Sequence, residues 1–166
     1  MGSPKKDESW YLKVVEDHKK PLLRYTKKLA PSPQDAQDIV QNTFLKLWNQ
    51  EFASIKTYVR QWLYTVARNE AFDCHRRKSK LVELDQEDVL GSIPSNLEKL
   101  FEVSEIFKLI SALPVNQQEL VVLKFQEGFS YKEISKITGH SVSNIGLLIH
   151  QAVTSLREMM EEVEDK

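Results

Sequence analysis

The chain has 166 residues and a mass of 19.3 kDa, with 41% hydrophobic and 28% charged residues but only five glycines and six prolines. That composition places it among soluble globular chains of one domain or two small ones and away from collagen-like, fibrous and disordered classes, and the length disfavours an enzyme with separate cofactor and substrate domains. The net charge of −1 hides an asymmetry: residues 1–80 carry 16 Lys/Arg against 9 Asp/Glu, residues 81–97 carry 0 against 4, and residues 98–166 carry 7 against 11, so the first half is the better partner for a polyanion.

Apolar residues recur with helical period almost throughout, which predicts an all-α protein. A first helix spans Glu8 to Leu29 and ends at Ala30-Pro31-Ser32-Pro33, where Ser32 can cap a second helix and Pro33 fits its first turn. The second helix runs to about Asn49. A loop, Gln50 to Lys56, leads into a long helix from Thr57 to Lys80 that begins apolar and finishes basic as His75-Arg76-Arg77-Lys78. The stretch Leu81 to Leu97, with four acidic residues, no Lys or Arg and the breakers Gly91-Ser92-Ile93-Pro94, reads as an acidic linker. The expected division is therefore a helical domain over 8–80, the linker over 81–97 and a second helical domain over 98–160.

In the second domain, Glu98 to Ala112 and Val115 to Gln126 are predicted helices separated by Leu113-Pro114. Ser130-Tyr131-Lys132-Glu133 has the pattern of a capping box. The helix it starts stops at Thr138-Gly139-His140, where a glycine can adopt the left-handed conformation. Ser141 then caps a last helix with one buried stripe, Val142, Ile145, Ile149, Ala152 and Leu156. Two helices joined by a tight glycine turn make a helix-turn-helix.

The single cysteine, Cys74, cannot form an internal disulfide, which points to a reducing cytoplasm. No apolar run approaches the ~18 residues of a membrane span, and no signal-peptide segment opens the chain. Catalytic chemistry leaves no trace: there is no phosphate-cradling glycine loop, zinc spacing, nucleophile elbow or kinase signature. His18, His140 and His150 show no ligand spacing with the adjacent Cys74-His75, so neither a metal nor a cofactor is expected.

Three segments in order resemble an extracytoplasmic-function (ECF) sigma factor of the sigma-70 family, the promoter-specificity subunit of bacterial RNA polymerase. They are the run from Asp35 to Trp48, the run Trp62-Leu63-Tyr64-Thr65-Val66-Ala67-Arg68-Asn69 followed by Asp73 and Arg76-Arg77, and Leu113-Pro114 through Leu156-Arg157. The resemblance implies a region 2-like bundle, a region 4-like helix-turn-helix and a non-catalytic function. That function is to direct core polymerase to promoters, bind and melt the DNA, and start transcription. The implied partners are core RNA polymerase, promoter DNA and an anti-sigma factor or other recruiting protein, with no membrane insertion.

The residues read compatibly. On the second helix Ala36, Ile39 or Val40, Thr43 and Leu47 form a buried stripe that leaves Asp38, Gln41, Asn42, Leu45 and Trp48 along another face. By resemblance this face binds core polymerase; alternatively it is a solvated face with Trp48 packed on the neighbouring helix. Trp62, Tyr64 and Asn69 stand beside Arg68, Arg76, Arg77, Lys78 and Lys80, a mixture of stacking faces and cations suited to single-stranded DNA. The resemblance assigns Trp62, Tyr64, Arg68, Asn69, Asp73, Arg76 and Arg77 to the minus-ten element. It places Asn69 in a pocket for a flipped base and the loop Phe52 to Tyr58 where the specificity loop lies. Trp62 and Tyr64 equally fit core positions, and Trp62 is expected to be at least half buried.

The last helix departs from the family. Its outward residues Ser143, Asn144, Leu147, Gln151 and Thr154 include no cation, and Ser141 to Ser155 contains no Lys or Arg where related factors usually carry several. Ser143, Asn144, Leu147, His150 and Gln151 are the candidate minus-thirty-five contacts: Gln151 can bond an adenine edge, and Leu147 can meet a thymine methyl or another protein. The rival to a sigma factor is a sigma-like helix-turn-helix adaptor or regulator recruited through a partner protein.

Overall fold

A computed structural model describes residues 7–84 and 105–165. Among the described residues the protein is all-α, and it divides into two compact units, one around the first, second and fourth helices and one around the sixth and eighth.

In the first unit, α1 spans Glu8–Leu29, α2 Pro33–Trp48, α3 Phe52–Ile55 and α4 Val59–Leu84. The Asp7 carboxylate caps α1 by accepting from the Trp10 amide (3.1 Å). The helix stops where Ala30, preceding Pro31, is pushed into extended backbone (φ −77°, ψ 153°). Pro21 sits inside α1 and contributes no N–H to its ladder. At the far end the His75 ring donates from Nε2 to the Leu29 carbonyl (2.6 Å), satisfying one of the orphan acceptors of a helix C-terminus. Ser32 caps α2 through the Asp35 amide (3.1 Å), with Pro33 at its first position as expected.

The α2 stripe is wider than the sequence pattern required: both Ile39 and Val40 are buried, and Phe44 joins Ala36, Thr43 and Leu47. From α4 come Leu63, Ala67, Ala71 and Cys74, spaced to line one side of a helix, and from α1 Val14, Leu22, Tyr25 and Thr26. The larger aliphatic side chains among them, Val14, Leu22 and Leu63, contribute roughly 1.5–3 kcal/mol each when fully buried. Two elements differ from expectation. The Gln50 to Lys56 loop contains α3 and runs into a 3-10 turn over Lys56–Tyr58, because buried Ile55 folds the chain back on the unit. Helix α4 starts at Val59 and continues to Leu84, four residues into the predicted linker; nothing between Lys80 and Leu84 breaks a helix. The rest of 81–97 lies outside the described residues, as does 98–104 of the next predicted helix.

The second unit comprises α5 (Glu105–Ser111), α6 (Val115–Val121), the first five residues of α7 (Tyr131–Thr138) and α8 (Val142–Glu164). Helix α6 does not simply continue to Gln126: residues Val122–Gln126 form a π-turn, with the Glu127 amide reaching the Val122 carbonyl five residues back (3.0 Å). Gly128 in the left-handed region (φ 73°) then lets Phe129 donate to the Leu123 carbonyl (3.0 Å) and close the helix end. Both halves of the Ser130–Glu133 capping box are present, Gly139 is left-handed (φ 80°), and Ser141 caps α8 through the Asn144 amide (3.1 Å). Ile145, Ile149 and Ala152 are buried, and Leu156 packs with Ile110 and Met159 against Leu113, Val121 and Ala152. Val142 is the exception to the predicted stripe. As the first residue of α8 it lies before the turn that meets the core, and it is 44% exposed.

Candidate polymerase and promoter surfaces

Turning Ala36 to Leu47 inward leaves Asp38, Gln41, Asn42 and Leu45 on the outside of α2; Leu45 is 57% exposed. Gln34 donates to the Asp38 carboxylate (3.3 Å). Trp48 does not belong to the open strip. It is half-buried, with its ring edge-on to Tyr11 of α1 (centroids 4.9 Å), and the Tyr11 hydroxyl donates to the Phe44 carbonyl (3.0 Å). Of the two readings of Trp48, packing on the neighbouring helix describes the larger part of its surface.

On α4 Asn69, Phe72, Asp73, Arg76 and Arg77 are exposed, and so are His75 and Lys78 to Leu81 toward its end. The Arg68 guanidinium lies over the Phe72 ring (4.5 Å to the centroid), a cation–π stack at the surface. Phe72 was absent from the sequence-based set. The signal for it was its position four residues after Arg68, on the same helix face. Asp73 forms an ion pair with Arg76 on the next turn, so its carboxylate holds that guanidinium rather than facing phosphate directly. Trp62 is half-buried, as expected.

Tyr64 is a correction. It is fully buried, packs on Tyr25 of α1 (centroids 4.9 Å), and has the Arg60 guanidinium 5.7 Å from its ring centre, so it offers no face to a base. Helical spacing gave Trp62 and Tyr64 the same aromatic value, but one lies toward α1 and the other at the rim. Lys78 also leaves the basic run by pairing with Asp35 near the start of α2. Burial works to raise the Asp35 carboxyl, but hydrogen bonds from Lys78 and Ser32 and the attraction of the Lys78 charge outweigh it and hold it below the usual carboxylate range. The same bond raises the Lys78 ammonium above its ordinary value against the opposing effect of burial.

Segment 52–58 joins this surface through α4. Phe52 is half-buried under the edge of Trp10 from α1 (centroids 4.6 Å, planes at 81°), the Lys56 ammonium lies 5.1 Å from the same ring centre, and Tyr58 is 43% exposed.

In the second unit, Ser143, Leu147, His150, Gln151 and Thr154 are exposed on α8, with Leu147 at 55%. Asn144 is half-buried, its amide group 3.4 Å from the His140 ring, so it is tied to the turn before the helix. Charge is segregated. Helix α8 is uncharged from Val142 to Leu156, then carries Arg157 followed by Glu158, Glu161, Glu162 and Glu164, while the exposed cations Lys132 and Lys136 stand four residues apart on α7. Lys124 lies over the Tyr131 ring (4.8 Å). Among the described residues no cluster of His, Cys, Asp or Glu is placed to hold a metal ion, and no helix is long and apolar enough to cross a membrane.

A bundle with one amide-rich and one basic aromatic face, followed by a helix-turn-helix, defines a promoter-specificity factor. The chain belongs to the sigma-70 family: sigma-70 region 2 matches residues 14–81 and sigma-70 region 4 matches residues 104–156. Within that family it is an ECF RNA polymerase sigma factor. It is similar to SigV of Bacillus subtilis (24% identical, covering 86% of each chain). To YlaC of the same organism it is 29% identical over 84% of this chain and 85% of that one. To SigM, also from B. subtilis, it is 27% identical over 83% and 87%. In fold it matches RpoE of Bartonella quintana, solved with the anti-sigma factor NepR, with a TM-score of 0.69, 22% identity and coverage of 93% of this chain and 98% of that one. It also matches CnrH, solved with the cytosolic domain of CnrY, at a TM-score of 0.61 and 20% identity, covering 94% and 90%.

Proposed function

We propose that this sigma factor divides its work by helix face. Core polymerase docks on Asp38, Gln41, Asn42 and Leu45 of α2, with the half-buried Trp48 closing the strip. The minus-ten strand is melted and held on α4 by Trp62, Arg68, Asn69, Phe72 and the Asp73-anchored Arg76 with Arg77. The minus-thirty-five element is read by Ser143, Leu147, His150 and Gln151 of α8, with Asn144 supporting the turn. Residues 8–80 form the polymerase and minus-ten domain, 81–97 the linker and 98–160 the minus-thirty-five domain. The factor works in the cytoplasm, catalyses no bond chemistry itself, and is held between uses by an anti-sigma factor, as RpoE of B. quintana is bound by NepR and CnrH by CnrY.

One observation carries this reading: α2 and α4 share a single core yet leave open two outer faces of different chemistry, one acidic and amide-rich, the other cationic and aromatic. Unpaired bases stacked on aromatic side chains gain about 1–3 kcal/mol each, so the second face favours melted over paired DNA. The test is transcription in vitro with core polymerase on a randomised promoter library. Enrichment of a two-part element by the wild-type chain, lost at its minus-ten half in Asn69→Ala, is the expected result. Unselective initiation that is the same in both proteins refutes the assignment.

A second reading applies to α8 alone, because Leu147 and Val142 leave apolar surface on the stretch of that helix, Val142 to Leu156, that holds no Lys or Arg. If Leu147→Lys abolishes activity and loses a co-purifying protein without changing DNA affinity, that face docks protein instead of DNA.

A further inference from the structure

The segment assigned to minus-ten specificity has little of its own to hold it in place. Helix α3 is four residues long with no side-chain cap, and only Ile55 of it is buried; the following 3-10 turn, Lys56–Tyr58, buries nothing. So short a helix is not stable by itself. What fixes its first residue is Trp10, one turn into α1, whose ring stands edge-on against Phe52 at 4.6 Å while Lys56 lies over the Phe52 ring at 5.1 Å. Trp10 is in turn fixed by its own amide, which donates to the Asp7 cap of α1 (3.1 Å). It also lies before residue 14, where the family match begins.

We propose that Trp10 is a positioning residue for minus-ten recognition: by gripping Phe52 it fixes segment 52–58 and so sets where the exposed Thr57 and Tyr58 meet an unpaired base. This rests on the assignment of that segment to base reading. An aromatic pair of this geometry is worth enough to shift a local equilibrium by about 2- to 12-fold, converted at the usual tenfold per 1.36 kcal/mol. A base read by a good hydrogen-bonded pair is preferred by about 5- to 150-fold over a wrong one. Loss of the grip therefore erodes a large part of the discrimination while leaving the core-binding face of α2 untouched.

The experiment measures binding of fluorescent single-stranded minus-ten oligonucleotides, with each base varied in turn, to reconstituted holoenzyme. Trp10→Ala should lower the ratio between best and worst base by about 2- to 12-fold with core affinity unchanged. Trp10→Phe, which keeps a ring, should restore most of it. A merely structural role would lower the melting temperature but leave the ratio intact at temperatures well below melting, and that result overturns the proposal. Should Trp10→Ala not fold, Phe52→Leu, which keeps apolar bulk without the ring, carries the same expectation and the same refutation. A Thr57→Ala, Tyr58→Ala double variant separates the layers. If it keeps full discrimination, segment 52–58 does not read bases and the proposal falls with that assignment. If it loses discrimination while Trp10→Ala keeps it, only the role of Trp10 falls.

Discussion

The uncharged stretch of α8 makes a quantitative prediction about salt. Each phosphate neutralised by a protein cation adds about 0.9 to the slope of log affinity against log salt, through release of condensed counterions. Helix α8 supplies no such cation between Val142 and Leu156, and Asn144 is tied to the turn, so the exposed pair Lys132 and Lys136 on α7 is the expected source. The first helix of a helix-turn-helix crosses the backbone, which gives this pair its reach. Replacing both with Ala should flatten the slope by about 1.8, so that raising salt from about 50 to 200 mM costs the variant about 12-fold less affinity than it costs the wild type. Both side chains are exposed while Ile134 and Ile137 form the buried side of α7, so the fold should survive the change. Fluorescence anisotropy of holoenzyme on a duplex minus-thirty-five element, titrated at four salt concentrations, measures it. Leu147→Lys should steepen the slope by about 0.9 in the same assay. An unchanged slope in the lysine double variant would refute the reasoning, since the phosphate contacts would then lie elsewhere.

Gln41→Ala with Leu45→Ala should weaken association with core polymerase without a change in melting temperature, whereas Trp48→Ala should lower both, because its ring also packs on Tyr11; a pull-down with parallel thermal melts tells these apart. Asn69→Ala should slow opening of a duplex promoter more than of one with a pre-melted bubble, as read by permanganate footprinting; equal slowing on both would remove Asn69 from strand capture. Tyr64→Ala should destabilise the first unit by about 3–5 kcal/mol, measured by urea unfolding, because a fully buried ring is lost. The Asp35–Lys78 pair sets a pH window. The depressed Asp35 carboxyl contributes stability above its unfolded value and loses it as acid protonates the folded carboxylate, while the raised Lys78 ammonium contributes below its unfolded value and loses it in alkali above its folded one. With Lys78 about half exposed, Asp35→Asn should cost at most about 1 kcal/mol near neutrality and nothing in strong acid.

What was legible in the sequence was what is decided within a few residues. Glu8 and Leu29 bound α1 as expected, because an N-capping aspartate and the Ala30-Pro31 step act locally. The Ser130–Glu133 box and Gly139 likewise marked the helix-turn-helix. Illegible were choices made across the fold. Nothing near Tyr64 says that Tyr25 will cover it, and nothing near Lys78 says that its partner is Asp35, 43 residues away. Trp48 shows the same limit, since its periodicity put it on the outer face of α2 and the ring of Tyr11 then closed over it. Phe72 was passed over because its value as a surface aromatic depends on Arg68 lying across its ring.

The π-turn at Val122–Gln126 bears on how this protein tolerates changes of length. A π-turn is the footprint of one surplus residue absorbed without rotating the helix on either side of it. Removing one residue there, such as the 62% exposed Phe125, would return the segment to ordinary α geometry and leave Phe129 and the α7 cap in phase. The same deletion inside α8 would turn everything after it by about 100° and swing the buried stripe beyond the cut away from the core. Insertions and deletions should therefore be accommodated just ahead of the helix-turn-helix and rejected within it, which makes this turn the natural joint for exchanging recognition modules between related chains.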